Sequence, residues 1–200
     1  AMVNIKGQAI HYQHRPGDTK AGTTLFIHGA GGNQQMWSLQ MEAGQNCFAL
    51  DLPGHGDSDG KPLTSIGKAA KLVMDFIAAT NLRRPLYLVG HSMGGAIALS
   101  CALGYADAID GMVIIGSGPR MKVNSSFLEN LRQGKSDPDF IRLGFSPQAP
   151  ADIVTVWSKT FNESSPELLY ADFTACNDFD VSGQLKEIDR KSTRLNSSHI

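Results

Sequence analysis

Short apolar runs alternate with helical patterns along the first 118 residues of the chain. Residues 3–13 alternate between polar and apolar side chains around Gly7 and predict an opening β-hairpin. Buried strands are predicted at residues 23–27, 47–50, 86–89 and 112–115. Helices are predicted at residues 65–80 and 96–103. Because strands that alternate with helices form a sheet covered on both faces, the pattern predicts a doubly wound, mostly parallel α/β fold.

From residue 120 to about residue 183 this alternation stops. Helical patterns rich in aromatic side chains occur at residues 126–133, 137–143, 151–161 and 166–175. For any single aromatic residue, the simpler interpretation is packing of these helices against the rest of the protein. Together, the aromatic residues favour a hydrophobic substrate.

A Gly-x-Ser-x-Gly motif at residues 90–94 follows a predicted strand and precedes a helix of small residues. A tight turn there forces Ser92 into a strained conformation, and side chains at Gly90 and Gly94 would clash with the neighbouring strand and helix. The Ser92 hydroxyl is then exposed at a helix N-terminus. The backbone N–H of Met93 faces any anion that forms on an attacked carbonyl. The bare motif also occurs by chance in glycine-rich turns, so its flanking strand and helix carry the interpretation.

A second glycine-rich loop, at residues 28–32, follows the strand predicted at residues 23–27. Acyl transfer needs more than one donor aimed at the developing oxyanion, and glycines let backbone N–H groups approach it closely. A simple strand-to-helix turn and a phosphate-binding loop are the alternatives. The phosphate loop is disfavoured because the chain has no Gly-x-x-x-x-Gly-Lys-Ser/Thr pattern and no acidic residue placed for a ribose.

These motifs resemble those of the serine hydrolases of the α/β-hydrolase fold, of the esterase and lipase type, over about residues 3–188. The turn at residues 51–58, Asp-Leu-Pro-Gly-His-Gly-Asp-Ser, also resembles a structural turn of that family, in which His55 is not the base. The resemblance implies Ser92 as the nucleophile and the backbone N–H groups of Ala30 and Met93 as the oxyanion hole. It implies no metal and no organic cofactor. The loops that shape the implied site contain His28, Gly29, Gly90, His91 and Gly94.

The resemblance also divides the chain into an α/β-hydrolase core at residues 1–118, a helical cap at residues 119–183 and the start of a truncated C-terminal core at residues 184–200. Residues 189–200 are polar, show neither strand nor helix periodicity and resemble a translated cloning adapter. A native flexible tail is the alternative. The final strands of the fold are therefore expected to be missing, which leaves the strand at residues 112–115 as an exposed edge and predicts poor solubility.

The triad acid and base are expected to lie beyond this fragment. His199 lies on the polar tail without a partner acid, and His28 and His91 are expected to brace the site loops through hydrogen bonds. Turn and helix-capping roles are expected for three aspartates near the end of the cap, which are Asp172, Asp178 and Asp180.

Hydrolysis of carboxylic esters of small apolar molecules is the predicted function. The same motifs also serve carbon–carbon bond hydrolases, thioesterases and amidases. A non-catalytic protein that binds a small ligand is an alternative from a different class, and a gene fragment without function is another. Serine at position 92, in the strand-to-helix turn at residues 90–94 that this family calls the nucleophile elbow, disfavours haloalkane dehalogenases and epoxide hydrolases.

The composition of the chain limits the kinds of binding partner that are expected. The 200 residues are enough for one ordinary domain, and a formal net charge of −1 gives no electrostatic reason to expect nucleic acid. The three cysteines are far apart and form no metal-binding or redox motif. Neither a signal peptide nor a membrane span is apparent, so a cytoplasmic location is expected. The oligomeric state is not predicted.

Overall fold

A computed structural model of the chain describes residues 1–188 and the strand Lys191–Leu195. These residues form one seven-stranded sheet in the spatial order β1-β2-β4-β3-β5-β6-β7. The strands are β1 (Met2–Ile5), β2 (Gln8–Arg15), β3 (Thr23–Ile27), β4 (Cys47–Leu50), β5 (Leu86–His91), β6 (Gly111–Ile115) and β7 (Lys191–Leu195).

The direction of the strands brings two loops together. The β1–β2 hairpin and the β2–β4 pair are antiparallel, whereas β4, β3, β5, β6 and β7 run parallel. Ile27, at the end of β3, lies opposite Leu50 of β4 and Gly90 of β5. The loops that follow β3 and β5 therefore lie side by side at the carboxyl ends of the parallel strands, where ligands bind in open α/β sheets. The predicted α/β fold with a mostly parallel sheet is confirmed.

Six α-helices of the described part of the chain accompany the sheet. They are α1 (Ser38–Ala43), α2 (Ile66–Ala79), α3 (Met93–Gly104), α4 (Ser125–Arg132), α5 (Ala151–Glu163) and α6 (Pro166–Asn177). Helix α2 begins where the Ser65 side chain accepts a hydrogen bond from the Lys68 N–H, and it buries one apolar stripe. Helix α3 is apolar on all sides because it is enclosed by its neighbours. Within the described residues, no helix combines the length and apolar character needed to cross a membrane.

The main core fills the space between the sheet and helices α2 and α3. Leu88 of β5, Phe76 of α2 and Ile97 of α3 have no exposed surface in it. The opposite face of the sheet has a smaller cluster around Phe26 and Trp37, whose rings stack with centroids 4.9 Å apart. The two faces are therefore covered unequally.

Between β6 and β7 the chain forms a helical insertion, residues 125–187, which contains α4, α5 and α6. The helices predicted at residues 126–133, 151–161 and 166–175 are confirmed, but residues 137–143 contain only part of a short 3-10 helix, Phe140–Gly144. The insertion has an apolar cluster of its own around Phe161 and Leu169. Its aromatic residues pack mainly on one another, whereas the simpler interpretation had them pack the helices against the rest of the protein; among the residues of these ring contacts, Phe173 also packs against the main core.

The C-terminal region corrects one prediction. Residues 189–200 were expected to form no strand, yet Lys191–Leu195 pairs in parallel with β6, with Lys191 opposite Gly111 and Leu195 opposite Ile115. Strand β6 is therefore not the edge of the sheet, and the predicted reason for poor solubility is wrong. An edge strand pairs through its main-chain groups, so apolar alternation is not required for it. His199 lies outside the described residues.

Candidate active site

Ser92 occupies the turn between β5 and α3 in a strained conformation, with φ +52° and ψ −116°. Its N–H donates to the carbonyl of Ile115 at 2.9 Å, and its carbonyl accepts from the Gly95 N–H at 2.9 Å. These bonds to β6 and to the first turn of α3 hold the backbone in place. The side chain is consequently fixed at the N-terminus of a buried helix.

The two glycines of the motif allow main-chain segments to approach each other closely. A Cβ at Gly90 would overlap the carbonyl of Gly94, and a Cβ at Gly94 would overlap the carbonyl of Ile27 in β3. The obstacles are backbone atoms, which cannot turn aside as a flexible side chain can. The clash predicted from the sequence therefore has a specific cause at each position, and α3 packs directly on β3 as a result.

The loop at residues 28–32 lies directly against the turn. A Cβ at Gly29 would lie 3.2 Å from the Ser92 Cβ and 3.1 Å from the His91 Nδ1. Met93 is the first residue of α3, so its N–H has no partner within the helix. Among the described residues, neither that N–H nor the Ala30 N–H has a hydrogen-bond partner. Two unpaired N–H donors therefore lie beside Ser92. One belongs to Met93, the next residue in the chain, and the other to Ala30 in the adjacent loop.

His28 braces this loop, as predicted. Its Nδ1–H donates to the Gly29 carbonyl at 2.8 Å, and its Nε2 accepts the Leu52 N–H at 3.1 Å. Because a carbonyl can only accept and an N–H can only donate, these partners specify the neutral ring with the proton on Nδ1. Burial, together with the charge of nearby His55, lowers the pKa of His28 to about 3. Both nitrogens are used, so the ring cannot serve as a free base.

His91 packs differently from the prediction. Its ring meets Trp157 of α5 edge-on, with centroids 5.3 Å apart, and its buried Nδ1 has no hydrogen-bond partner among the described residues. The prediction that a hydrogen bond from His91 braces the loop is wrong, because the ring makes an aromatic contact with the insertion instead. Burial lowers the pKa of His91 to about 4, so the ring is neutral.

A buried pair that the sequence did not reveal joins the turn at residues 51–58 to the insertion. His55 Nε2 lies 2.8 Å from Asp172 Oδ2, and both side chains are almost fully buried. The other ring nitrogen of His55, Nδ1, lies 3.1 Å from the Pro53 carbonyl. Both neighbours are acceptors, so the ring donates to both only as an imidazolium. Burial alone would lower the pKa of His55, but the Asp172 carboxylate outweighs it and raises that pKa.

The three aspartates near the end of the insertion differ in their roles. Asp178 is the C-cap residue of α6, and Asp180 accepts from the Ser182 N–H in a turn, as predicted. Asp172 has neither role. It lies within α6, and its Oδ2 accepts from the Gly31 N–H at 2.9 Å as well as from His55. This contact could not be predicted from local sequence patterns, because Gly31 and Asp172 are 141 residues apart.

The remaining described histidines lie elsewhere. His11 Nδ1 is 2.8 Å from Asp51 Oδ2, and the His14 ring stacks on Phe48. Among the described residues, none of the histidines forms a hydrogen bond with Ser92. The nucleophile and the free donors are therefore placed, whereas a base for Ser92 is not found in this part of the chain.

One cluster of side chains has the residue types of a metal site. The ligand atoms of His11, Asp51 and Asp57 lie within 4.8 Å of one another. The Asp51 carboxylate already accepts from the N–H groups of Gln34 and Asp57 and from His11. Its hydrogen bonds fix the turn at residues 51–58. This cluster is thus explained by the fold.

The chain belongs to the alpha/beta hydrolase family, whose sequence pattern it matches over residues 24–191. It is 31% identical over 115 residues to a 2-succinyl-6-hydroxy-2,4-cyclohexadiene-1-carboxylate synthase from Salmonella agona (strain SL483). That alignment covers 56% of this chain and 45% of the synthase. The chain therefore spans about half the length of the curated relatives that it matches.

Solved structures agree on the fold. A lipase-esterase related protein from Clostridium acetobutylicum ATCC 824 has a TM-score of 0.77 and 28% identity, covering 92% of this chain and 78% of that chain. The enol-lactonase from Burkholderia xenovorans LB400 has a TM-score of 0.87 over 100% of this chain and 82% of its own. Its identity is 17%, so this likeness concerns the fold alone.

Proposed function

We propose that this chain carries the nucleophile and the oxyanion hole of a serine hydrolase that cleaves carboxylic esters of small apolar molecules. The observation that carries the proposal is the strained Ser92 with two unpaired N–H groups beside it, on Met93 and in the adjacent loop on Ala30. A hydroxyl fixed at a helix N-terminus next to preorganised donors suits attack on a carbonyl.

In the proposed reaction, Ser92 Oγ adds to the ester carbonyl, and the two N–H groups bind the oxyanion of the tetrahedral intermediate. Collapse of the intermediate expels the alcohol and leaves an acyl-serine, which water then hydrolyses to the acid. The Ser92 proton must pass to a base and then to the leaving alcohol. His28 and His55 are each bound on both ring nitrogens, so we place the base and its acid partner outside the described residues.

The side chains around Ser92 support an apolar substrate. Trp157 packs against His91 and also against Phe145, so aromatic groups of the insertion lie over the elbow. Both histidines next to the proposed oxyanion hole are neutral, because burial holds the pKa of His28 at about 3 and that of His91 at about 4. We propose that the insertion is the cap that covers the substrate.

A second candidate reaction is hydrolysis of a carbon–carbon bond by the same serine. The curated relatives give reason to test reactions other than ester cleavage, because their names describe the synthesis of a cyclohexadiene carboxylate. Thioester hydrolysis would use the same residues. A protein that only binds a small ligand would keep the pocket but form no acyl-serine.

Hydrolysis of p-nitrophenyl esters tests the proposal with three proteins: this chain, its Ser92→Ala variant, and a version extended with C-terminal strands and a histidine of the family. Turnover by the extended form that Ser92→Ala abolishes would support the ester hydrolase. Turnover by this chain itself would mean that a residue within it supplies the base. Ligand binding without a burst of p-nitrophenol in either folded form would favour the binding protein, and parallel assays with thioesters and vinylogous diketones separate the other reactions.

A further inference from the structure

Gly31 is the point at which the helical insertion contacts the glycine-rich loop. Its N–H donates to Asp172 Oδ2 at 2.9 Å, and its carbonyl lies 3.2 Å from the Ser164 hydroxyl, which faces the Thr160 carbonyl at the same distance. Its φ is +63°, and a Cβ there would lie 2.5 Å from Leu169 Cδ2. The insertion therefore fixes this residue through hydrogen bonds and through direct packing.

Ala30 lies between two fixed residues. On one side, the Gly29 carbonyl accepts from His28 Nδ1 and from the Gly32 N–H. On the other side, the insertion fixes Gly31. The Ala30 N–H itself has no hydrogen-bond partner among the described residues. A donor of this kind stabilises a transition state in proportion to how well it is oriented beforehand, because reorientation during the reaction costs free energy.

We propose that Asp172 and His55 are positioning residues that orient the Ala30 N–H toward the oxyanion through the Asp172–Gly31 hydrogen bond. This inference rests on the proposed function, because it takes Ala30 as an oxyanion donor. Its new element is that the oxyanion hole of the core is set by a carboxylate of the insertion. The insertion is then part of the catalytic geometry as well as a cover over it.

The charge of the pair explains why the carboxylate needs a partner. A lone carboxylate behind the loop would repel the negative charge that develops on the substrate. His55 contacts the same carboxylate oxygen as the Gly31 N–H, and as an imidazolium it makes the pair neutral overall. The other groups that face His55 are the His28 ring, whose centroid is 4.8 Å away, the Pro53 carbonyl and the more distant charge of Asp51.

NMR of the whole chain tests the positioning without requiring turnover. Asp172→Asn weakens the acceptor while keeping the shape, so the Gly31 amide proton should move upfield and exchange with solvent faster. The pKa of His55 should fall in the same variant. The matched control is Asp178→Asn, an exposed carboxylate at the end of the same helix, which should leave both signals unchanged. An unchanged Gly31 amide in Asp172→Asn would overturn the proposal.

The unaltered chain gives a second readout that does not depend on the variant folding. When the pH is raised through the pKa of His55, the ring loses a proton and can no longer donate to both of its acceptors. The Gly31 amide shift should therefore titrate with the same midpoint as the His55 ring signals. A Gly31 amide that does not respond at that midpoint contradicts the coupling.

Kinetics complete the test in whichever form of the protein shows Ser92-dependent turnover. Asp172→Asn should lower kcat by about 10- to 100-fold, less than the loss expected for deleting an oxyanion donor, with KM unchanged. Asp178→Asn should match the parent. An altered Gly31 amide with unchanged kcat would reduce the pair to a structural contact and overturn the positioning role. If no ester, thioester or diketone is turned over, the proposed function fails, while the NMR results still decide whether Asp172 orients Gly31.

Discussion

Ser92 is the residue at which function and stability oppose each other. A non-glycine residue with φ +52° and ψ −116° carries backbone strain of about 1–3 kcal/mol. Glycine adopts such a conformation freely, so we expect Ser92→Gly to raise the free energy of unfolding by about 1 kcal/mol. Any Ser92-dependent ester hydrolysis should be lost at the same time. Urea denaturation followed by circular dichroism measures the change in stability.

The control for Ser92→Gly is the same substitution inside a helix. Ser100 lies in the interior of α3, where glycine is less favourable than residues with a side chain. We expect Ser100→Gly to lower the free energy of unfolding by up to about 1 kcal/mol. If both variants lose stability equally, Ser92 is not strained in solution.

Two neutral histidines, His28 buried and His91 partly buried, should make the protein sensitive to acid. The pKa of His28 is lowered to about 3 and that of His91 to about 4, from the ordinary value of 6.5. The unfolded chain then binds more protons below that ordinary value. Their contribution to stability is therefore complete above about pH 6.5 and is lost as the pH falls toward the folded pKa values. Each group adds a slope of about 1.4 kcal/mol per pH unit in that window.

Urea midpoints measured at several pH values between about 7 and 5 would show this slope. His91→Phe keeps a ring for the edge-on contact with Trp157 but removes the titrating group. We expect this variant to lose part of the slope at acid pH, with little change near neutral pH. A slope that is identical in the parent and the variant would show that His91 is not buried as a neutral ring.

At the scale of secondary-structure elements, the close packing of α3 on β3 gives the next prediction. A Cβ at Gly94 would overlap the main-chain carbonyl of Ile27, so Gly94→Ala must push the helix away from the strand. We expect a loss of about 3 kcal/mol or more, comparable to severe overpacking of a core. Gly104→Ala, at the open end of the same helix, should cost nothing, because nothing lies within 4 Å of its Cβ. Equal stability of the two variants would contradict the packing.

Elements that depend on local pattern could be predicted from the sequence. The apolar runs predicted β3 and β4 at their observed bounds, and the helix predicted at residues 65–80 differs from α2 by one residue at each end. The elbow was also predictable, because its glycines, strand and helix are consecutive in the chain. Adjacency of the two site loops followed only from the parallel order of β3 and β5, which is a property of the sheet.

Contacts between distant segments could not be predicted in this way. Strand β7 has a polar sequence and is recognised only by its pairing with β6. His55 and Asp172 are 117 residues apart, and each has an ordinary local explanation, one in a turn and the other in a helix. Their meeting depends on how α6 lies against the turn at residues 51–58, and no periodicity in the sequence specifies that.

At the scale of the whole molecule, the two faces of the sheet are covered unequally. Leu86, Leu88 and Ile114 on one face are almost completely buried against the helices. The residues that alternate with them face the other side, where Val89 and Ile115 are only partly buried and Tyr87 is 38% exposed. An apolar sheet face of this kind favours association with other apolar surfaces.

We therefore expect the chain to associate with itself through this face rather than through the edge of the sheet. Sedimentation velocity at several concentrations should show a rising average mass, and Tyr87→Lys should shift the association to higher concentration, because a charge in the patch must be desolvated when two copies meet. Leu143→Lys is the control, since that residue is 72% exposed on the helical insertion and away from the sheet. Equal effects of both lysines would point to net charge instead, and a monomer at every concentration would show that the partly covered face does not drive association.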